Sequence, residues 1–539
     1  MTPRLRAASF GAALALLFGL TALFRFTALS DGFSNDHYLH LGNAQQMLFG
    51  EWPTRDFLDH GMPLMYVASA TAQRWLGQTL FAEAVLVAVG FALAAALTAA
   101  AVRELTGSRA LGLLAAVLEV AIVPRTYGYP KILTYAAGFL LMQRYVSRPT
   151  YGRLAALAVA VVTAFLFRHD HGIYLGLGGA LAAWLAVEAD GRRGGYRRAL
   201  AFVGMVGLLV APYLLYVQVY DGTWPYLQKG LEFRRRELDS SDLVLPTLGE
   251  DSVHAVLFYA YWAVPVLAAA VLLRIHRREG GGVAVARVLP MVAIALLAGS
   301  TLARTPLAAR LPDAIVPFVT IGAWLVAGAW RARPHGVWRP AAALATLLAA
   351  AIVLSVGRTV EHLDRSGLLA PITEWPEQVL YRGDELRERY ADIGREVLPF
   401  YEYVARCTTP EHRVLAVGFL PEVAFFTRRP FAGGQVMLLP GYYDSEPYQR
   451  AVLNKLSRES VPFVVIAGNL AAQASDPGAP NIEAFDSSFP LVAGHVRRRY
   501  VPLAAFSEDG RTTVEVLIER RLSGLGRDAT TGWPCPTPA

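Results

Sequence analysis

The sequence has little charge, almost no cysteine and none of the short motifs of the common nucleotide-binding or hydrolytic enzymes. Of its 539 residues only 17% are charged and 54% are hydrophobic, whereas soluble domains contain roughly 25% charged residues. The two cysteines form no CxxC pair. We find no glycine-rich phosphate loop followed by Lys-Ser/Thr and no GxSxG elbow, so the sequence gives little support to phosphate-loop nucleotide binding or serine-hydrolase chemistry.

The hydrophobic residues are concentrated in runs about as long as a bilayer is thick. Several runs, notably 110–123 and 132–143, are shorter than the roughly 20 residues of a straight span, so they either include flanking residues or form a re-entrant pair. Eleven runs are present, at about 8–29, 80–102, 110–123, 132–143, 154–167, 173–188, 199–219, 254–273, 288–303, 313–330 and 340–357. The sequence therefore predicts a mainly α, polytopic membrane protein with about eleven transmembrane helices.

Basic residues alternate between the loops that join these runs. With Arg4 and Arg6 on the cytoplasmic side, every second loop is rich in arginine, and the loop at about 31–61 contains only Arg55. This pattern obeys the positive-inside rule and accounts for most of the net charge of +7. Eleven spans then place the C-terminal region on the outer face. The first run is expected to be a retained anchor, with a cleaved signal peptide as the alternative.

Residues 358–539 differ in composition from the preceding transmembrane region, 1–357. A charged helical segment, 374–406, is followed by β-rich stretches at Arg413–Phe419, Pro462–Ala467 and Thr512–Ile518, with a helix near 446–459 between the first two. This alternation is typical of a small α/β domain. Cys407 and Cys535 both lie in this predicted outer domain, where a disulfide can persist; two separate thiols are the alternative. The end of the chain, Trp533 to Ala539, is expected to be a loose tail.

The first outer loop, about 31–61, contains the most informative polar segment. A helix is predicted to begin at Asp36, with the side chains of Asp36 and His37 at its exposed start. The residues on its apolar face are Tyr38, Leu41, Ala44 and Leu48. An acidic residue in the first turn is also favoured by the helix dipole alone.

A second polar cluster follows in the same loop. It contains Asp59 and His60 and leads into an amphipathic segment, 65–76, that is suited to a membrane surface. Two acidic clusters that face one compartment indicate a functional site.

The order of these features resembles the GT-C superfamily of integral membrane glycosyltransferases. A span, a loop helix that opens Asp36-His37-Tyr38-Leu39, the stretch MLFGEWPTRDFLDHGMPL and a second span are similar to the branch of aminoarabinose transferases and protein O-mannosyltransferases. The resemblance implies a polyprenyl-phosphate-linked sugar donor, inversion at the anomeric carbon, and a base or acceptor-orienting role for Asp36. The chain differs at His37, where the family commonly has a second acid, and metal dependence is therefore in question.

Three further outer positions carry cations suited to the departing phosphate. Arg125 and Lys131 flank a proline-bracketed turn, for which an interfacial turn is the alternative interpretation. By resemblance, Arg304 contributes to holding the lipid phosphate; an ordinary interfacial arginine is the alternative.

The segment Phe167-Arg168-His169-Asp170-His171 places four titratable groups in a row at a membrane edge. Such groups are costly unless paired or functional. Arg168 and Asp170 either form a structural pair or contact the sugar or phosphate. Histidines at i and i+2 favour no familiar helical metal site, so a divalent metal is possible but not the favoured interpretation, and no other cofactor is expected.

The sequence thus predicts a multi-pass glycosyltransferase of the inner (plasma) membrane with its active site on the extracytoplasmic face. Asp36 and His37 are the predicted catalytic residues. The predicted substrate-binding residues are Asp59, His60, Arg125, Lys131, Arg168, Asp170 and Arg304. The expected partners are the lipid-linked donor, a glycan, lipid or protein acceptor, and membrane lipids, but no nucleic acid. A lipid or solute transporter and a non-catalytic scaffold are the alternatives.

Overall fold

The structure is a computed structural model of the chain. It describes residues 3–33, 35–186, 191–239, 245–247, 252–279, 282–302, 310–331, 343–344, 347, 359–393, 396–467, 483–508, 511–523 and 526–536. Two compact units are present. Unit 1 comprises Met1–Asp31, Ala84–Leu215 and Asp242–Gly383, and unit 2 comprises Gly32–Glu83, Tyr216–Ser241 and Asp384–Ala539.

Unit 1 is helical in the part that the structure describes. Helices that lie wholly or mostly in it are α1 (Pro3–Thr27), α4 (Leu80–Thr106), α5 (Arg109–Ala121), α6 (Tyr129–Ser147), α7 (Tyr151–Phe167), α8 (His169–Leu185), α9 (Gly191–Tyr220), α11 (Ser252–Glu279), α12 (Gly282–Gly299), α13 (Ile315–Arg331) and α14 (Trp375–Arg387). Ten of the eleven predicted runs coincide with one of these helices. The eleventh, 340–357, lies almost entirely outside the described residues. The predicted domain boundary at residue 357 also lies outside them.

Six described stretches are long and apolar enough to cross a bilayer. They are Ala8–Thr27, Leu80–Thr106, Gly194–Tyr220, His254–Arg278, Gly282–Gly299 and Leu311–Arg331. The runs that looked too short form helices of 13 to 19 residues, α5 to α8. The chain is a multi-pass membrane protein.

Side chains cap two helices of unit 1. Ser108 and Thr150 cap α5 and α7 by accepting hydrogen bonds from the backbone N–H groups of Leu111 and Arg153.

Small residues allow the helices of unit 1 to approach closely. A Cβ atom on Gly178 of α8 would lie 2.4 Å from the Ile294 side chain of α12. Packing of this kind, which depends on close contact between backbones, is typical of helices in lipid.

Unit 2 combines part of the first predicted loop with the C-terminal region. Its helices are α2 (Asn35–Leu48), α3 (Pro63–Leu76), α10 (Thr223–Asp239), α15 (Leu398–Cys407), α16 (Glu422–Thr427), α17 (Glu446–Leu456), α18 (Glu483–Ser488) and α19 (Pro490–Arg499). Its strands are β1 (His412–Val417), β2 (Ser460–Ala467), β3 (Tyr500–Glu508) and β4 (Arg511–Glu519). The predicted α/β domain is confirmed, although β3 was not anticipated.

The four strands form one mixed sheet in the order β1-β2-β4-β3. β1 runs parallel to β2, and β4 runs antiparallel to both β2 and β3. Alternate residues of β2 face opposite layers. Val464 and Ile466 join a core with Phe489 and Val492 near α19, whereas the Phe463 ring lies 5.8 Å from Phe400 of α15. The sheet is therefore covered by helices on both faces.

Helix α2 packs against α3 and α16 within unit 2. The Tyr38 hydroxyl and the Phe33 N–H both donate to Oδ2 of Asp392, at 2.9 and 2.8 Å. Gln45 donates to the Ala424 carbonyl at 2.7 Å, and its side chain is only 1% exposed. The loop helix is thus built into the C-terminal region through both apolar and polar contacts.

Residues 533–535, near the end of the sequence, are held in place. Cys407 at the end of α15 forms a disulfide with Cys535, 128 residues further on, and the Tyr403 hydroxyl donates to the Pro534 carbonyl. The Trp533 ring lies 5.1 Å from that of Tyr403. The prediction of a loose tail was wrong for residues 533–535, because the covalent bond and the aromatic contact hold them against α15.

We expect Cys535→Ser to lower the free energy of unfolding by about 4 to 5 kcal/mol, because the chain-entropy model assigns roughly this value to loops of about 100 residues. The midpoint of thermal unfolding in detergent measures the loss. The Cys407→Ser/Cys535→Ser double variant should lose no more than either single variant. Alkylation of both thiols in the folded protein without reductant would contradict the disulfide.

Candidate active site

Asp36 lies in the first turn of α2, which begins one residue earlier than predicted. Its side chain is exposed, as expected. Asp36 is therefore an accessible carboxylate on a helix whose opposite face is firmly packed.

His37 is buried, and the prediction that it lies at an exposed helix start was wrong. Its Nε2 atom is 2.7 Å from Oε1 of Glu83, and both side chains are 0% exposed. The Ser69 hydroxyl of α3 donates to the same carboxylate oxygen at 3.0 Å. The buried face of α2 is also wider than predicted, because it includes His40, which is 4% exposed.

Asp59 is 7% exposed and is held by three hydrogen bonds. Its Oδ1 accepts from the backbone N–H groups of Gly61 and Met62 at 2.9 and 3.2 Å, directly before α3. Its Oδ2 accepts from the Tyr226 hydroxyl of α10 at 2.9 Å. Asp59 therefore fixes the start of α3 and joins it to α10.

His60 is half-buried beside aromatic rings of unit 2. Its ring lies 6.3 Å from that of Phe233 and 6.1 Å from that of Tyr443. Removal from water lowers the pKa of His60 below its ordinary value, although the neighbouring Asp59 opposes the shift. The packing around His60 therefore disfavours its protonated form.

In unit 1, Arg125 and Lys131 meet at Asp313. Oδ2 of Asp313 accepts from Arg125 Nη2 at 2.9 Å and from Lys131 Nζ at 2.8 Å. The Lys131 and Asp313 side chains are only 8% and 7% exposed, whereas Arg125 is 25% exposed. The turn that carries both cations approaches Asp313 closely, because Gly128 has no side chain to displace the carboxylate.

Arg168 and Asp170 form the ion pair that their spacing suggested. Arg168 Nε donates to Oδ1 of Asp170 at 3.0 Å. The same oxygen accepts from the His171 backbone N–H at 2.9 Å, in the first turn of α8. His171 Nδ1 lies 2.6 Å from the Tyr135 hydroxyl, and His169 stacks on Phe165 with ring centroids 4.2 Å apart. The two histidines thus contact different partners.

The two basic motifs of unit 1 belong to one charged cluster. Lys131 is close enough to interact electrostatically with Arg168 and Asp170, and Asp313 interacts with Arg168 and Arg25. We define the basic cluster as Arg25, Arg125, Lys131, Arg168, Asp170 and Asp313. Four cations and two carboxylates leave an excess of positive charge.

Sequence reasoning missed Arg25 and Glu83 because both lie within or beside apolar runs. Arg25 is 6% exposed and donates to the Pro124 carbonyl at 2.6 Å. A charged residue inside a hydrophobic run is itself a signal of function, and it could have identified both positions. Arg304 lies outside the described residues.

Metal binding finds no matching arrangement in the described part of the chain. No group of three or more His, Cys, Asp or Glu side chains there is placed to hold a metal ion.

The close approach at Gly128 can be tested by adding one methyl group. A Cβ at this position would lie 2.5 Å from Oδ1 of Asp313, so Gly128→Ala should displace the carboxylate from Lys131 and Arg125. We expect a loss of about 1–3 kcal/mol from overpacking, measured as a lower thermal midpoint. Gly152→Ala is the control, since no atom lies within 4 Å of its Cβ. Equal midpoints for both variants would contradict the geometry.

Comparison with known proteins gives a match at the level of fold. No protein-family profile matches the sequence, and no curated protein sequence is significantly similar to it. Twelve chains of solved structures match significantly. One of them is the crystal structure of ArnT from Cupriavidus metallidurans bound to undecaprenyl phosphate.

The alignment with ArnT extends over nearly the whole of both proteins. It covers 96% of this chain and 98% of ArnT, with a TM-score of 0.50 and 14% sequence identity. The resemblance expected from the first outer loop is confirmed as a likeness of fold. The chain therefore has a polytopic fold similar to that of ArnT.

Proposed function

We propose that this protein is a membrane glycosyltransferase that moves a sugar from a polyprenyl-phosphate donor to a hydroxyl group of a cell-envelope acceptor. The basic cluster of unit 1 carries the proposal. It holds four cations, of which Arg25 and Lys131 are buried, against two carboxylates, on a fold similar to that of ArnT. ArnT was solved with undecaprenyl phosphate, which supports a lipid phosphate as the ligand of this cluster.

The chemistry explains why cations are needed. The acceptor oxygen attacks the anomeric carbon, the bond from that carbon to the phosphate oxygen breaks, and the bonding electrons leave with the phosphate. The leaving phosphate gains negative charge as the bond breaks. Cations fixed in place therefore stabilise the transition state more than the ground state.

Arg125, Lys131 and Arg168 are the proposed phosphate contacts. Asp313 and Asp170 hold these three side chains by the hydrogen bonds described above, so little reorganisation accompanies ligand binding. Of the two cations that Asp313 binds, Arg125 is more exposed than Lys131. The carboxylates are thus positioning groups.

Asp36 is the proposed general base. It takes the proton of the acceptor hydroxyl as the oxygen attacks, and its exposed position in the first turn of α2 supports access to a substrate. We reassign His37 as a positioning residue, because its buried bond to Glu83 fixes the start of α2. Asp59 has the same positioning role for α3. Inversion at the anomeric carbon follows from direct displacement.

We place the reaction on the extracytoplasmic face of the plasma membrane. The disulfide between Cys407 and Cys535 supports this location, because disulfides persist in oxidising compartments. The alternation of basic loops supports it independently.

Asp36→Asn should abolish sugar transfer, because an amide cannot accept the proton, and should leave donor binding intact. We would compare envelope glycans and polyprenyl-phosphate sugars by mass spectrometry in cells with the native chain, no chain and the variant. Deletion and Asp36→Asn should both lose one glycan residue and accumulate one lipid-linked sugar.

Asp384→Asn is the control, since Asp384 is an exposed helical carboxylate in unit 2. It should leave the glycan pattern native. If deletion alone changes the pattern, Asp36 is not the base. If deletion changes nothing, transfer is excluded and transport becomes the stronger alternative.

Lys131→Met should weaken the binding of undecaprenyl phosphate by about tenfold to a hundredfold, because it removes one charged hydrogen-bond donor. Titration of the purified protein in nanodiscs, read by native mass spectrometry, measures the change. Lys229→Met is the control, since Lys229 pairs with Asp221 in unit 2. Unchanged affinity in Lys131→Met would contradict the phosphate role of the basic cluster.

A further inference from the structure

Unit 2 contains an aromatic pocket that the proposed reaction does not use. The pocket lies between α10 and the turn before α17 and has a volume of about 210 Å³. Its lining consists of Glu232, Phe233, Arg236, Tyr442, Tyr443, Ser445 and Tyr448. Pockets for drug-sized ligands have volumes of roughly 300–1,000 Å³, so this one is suited to a single small ring.

The aromatic walls of the pocket are fixed by contacts with one another. The Phe233 ring lies 5.2 Å from Tyr442 and 6.3 Å from Tyr443, to which it is nearly parallel. Tyr448 meets Tyr443 edge-on at 5.3 Å, and His60 packs against Phe233 and Tyr443. Ring faces held in this way offer apolar contact area at little cost in conformational entropy.

The polar groups of the pocket are also held in place. Arg236 pairs with Asp444 at 3.0 Å and donates to the Gly441 carbonyl. The Tyr448 hydroxyl donates to Oε2 of Glu232 at 3.3 Å. Because Asp444 already neutralises Arg236 and Glu232 would repel an anion, the pocket favours a neutral ligand over a phosphate or carboxylate.

The turn that supplies Tyr443 is strained. Tyr443 has φ of +50°, in the left-handed region that bulky residues rarely occupy. Its side chain is only 8% exposed and points into the aromatic contacts described above. Strain of this kind is found at ligand clamps, where the surrounding structure imposes it.

We propose that this pocket binds one pyranose ring of the acceptor glycan. A pyranose has C–H groups on its faces, which suit aromatic rings, and hydroxyls around its edge, which suit Glu232, Arg236 and Ser445. The identification of the ring as acceptor rests on the proposed function. It is favoured because the pocket and Asp36 both belong to unit 2, whereas the basic cluster belongs to unit 1.

Binding of a pyranose by the protein in detergent can be measured by saturation-transfer difference NMR. The probes are methyl pyranosides that differ in configuration at C2, C3 and C4, with inorganic phosphate as a competitor. At least one pyranoside should receive saturation from the protein, mainly at its ring C–H protons, and phosphate should not compete. Tyr448→Ala and Glu232→Gln should weaken binding about tenfold or more.

Two exposed residues outside the pocket lining provide matched controls. Tyr381 is 64% exposed, and Glu446 pairs with Arg450 on α17. Tyr381→Ala and Glu446→Gln should retain binding. Glu232→Gln preserves the shape of the pocket, so its effect remains informative if Tyr448→Ala fails to fold.

The possible outcomes separate this inference from the proposed function. Pyranoside binding that depends on Tyr448 and survives Asp36→Asn supports the pocket, even if glycan analysis finds no transfer. The inference is wrong if no pyranoside binds, if binding is unchanged in both pocket variants, or if phosphate displaces the sugar. Any of these results leaves the donor and base assignments standing.

Discussion

A charge removed from water must be matched by another charge or by hydrogen bonds, and this constraint organises the described part of unit 1. Asp313 binds Arg125 and Lys131 with one carboxylate oxygen, and Arg168 is paired with Asp170. Breaking a buried ion pair costs several kcal/mol because one charge is left uncompensated. The two carboxylates therefore hold the cations where a lipid phosphate is proposed to bind, and the remaining positive charge is available to that ligand.

The same constraint explains how a polar helix came to be buried in unit 2. His37 and Glu83 bond to each other with no exposed surface, and Gln45 bonds to the Ala424 carbonyl. Removal of either partner would leave a buried polar group unsatisfied. Buried polar contacts thus fix α2 in one position, and the adjacent Asp36 remains accessible at its start.

Much of the fold could be predicted because apolar run length and β-rich alternation are local signals. Ten helices of the predicted membrane region and three of the four strands follow from them. The Arg168–Asp170 ion pair was one of two alternatives that the sequence offered, since a single residue separates the two side chains. By contrast, His37 and Glu83 are 46 residues apart, and Arg125 and Asp313 are 188 apart. Spacing along the sequence cannot reveal partners so far apart. The burial of His37 could not be predicted because its partner, Glu83, is one of them.

Unit 2 is discontinuous in sequence, being assembled from Gly32–Glu83, Tyr216–Ser241 and Asp384–Ala539. Helix α2 is made early, but Asp392 and Ala424, which bond to it, emerge from the ribosome more than 300 residues later. Contacts of such long range form slowly and leave polar and apolar surfaces exposed in the meantime. During biogenesis the nascent first loop can therefore complete its packing only after the C-terminal region is made, and truncated products are expected to be substrates for cellular quality control.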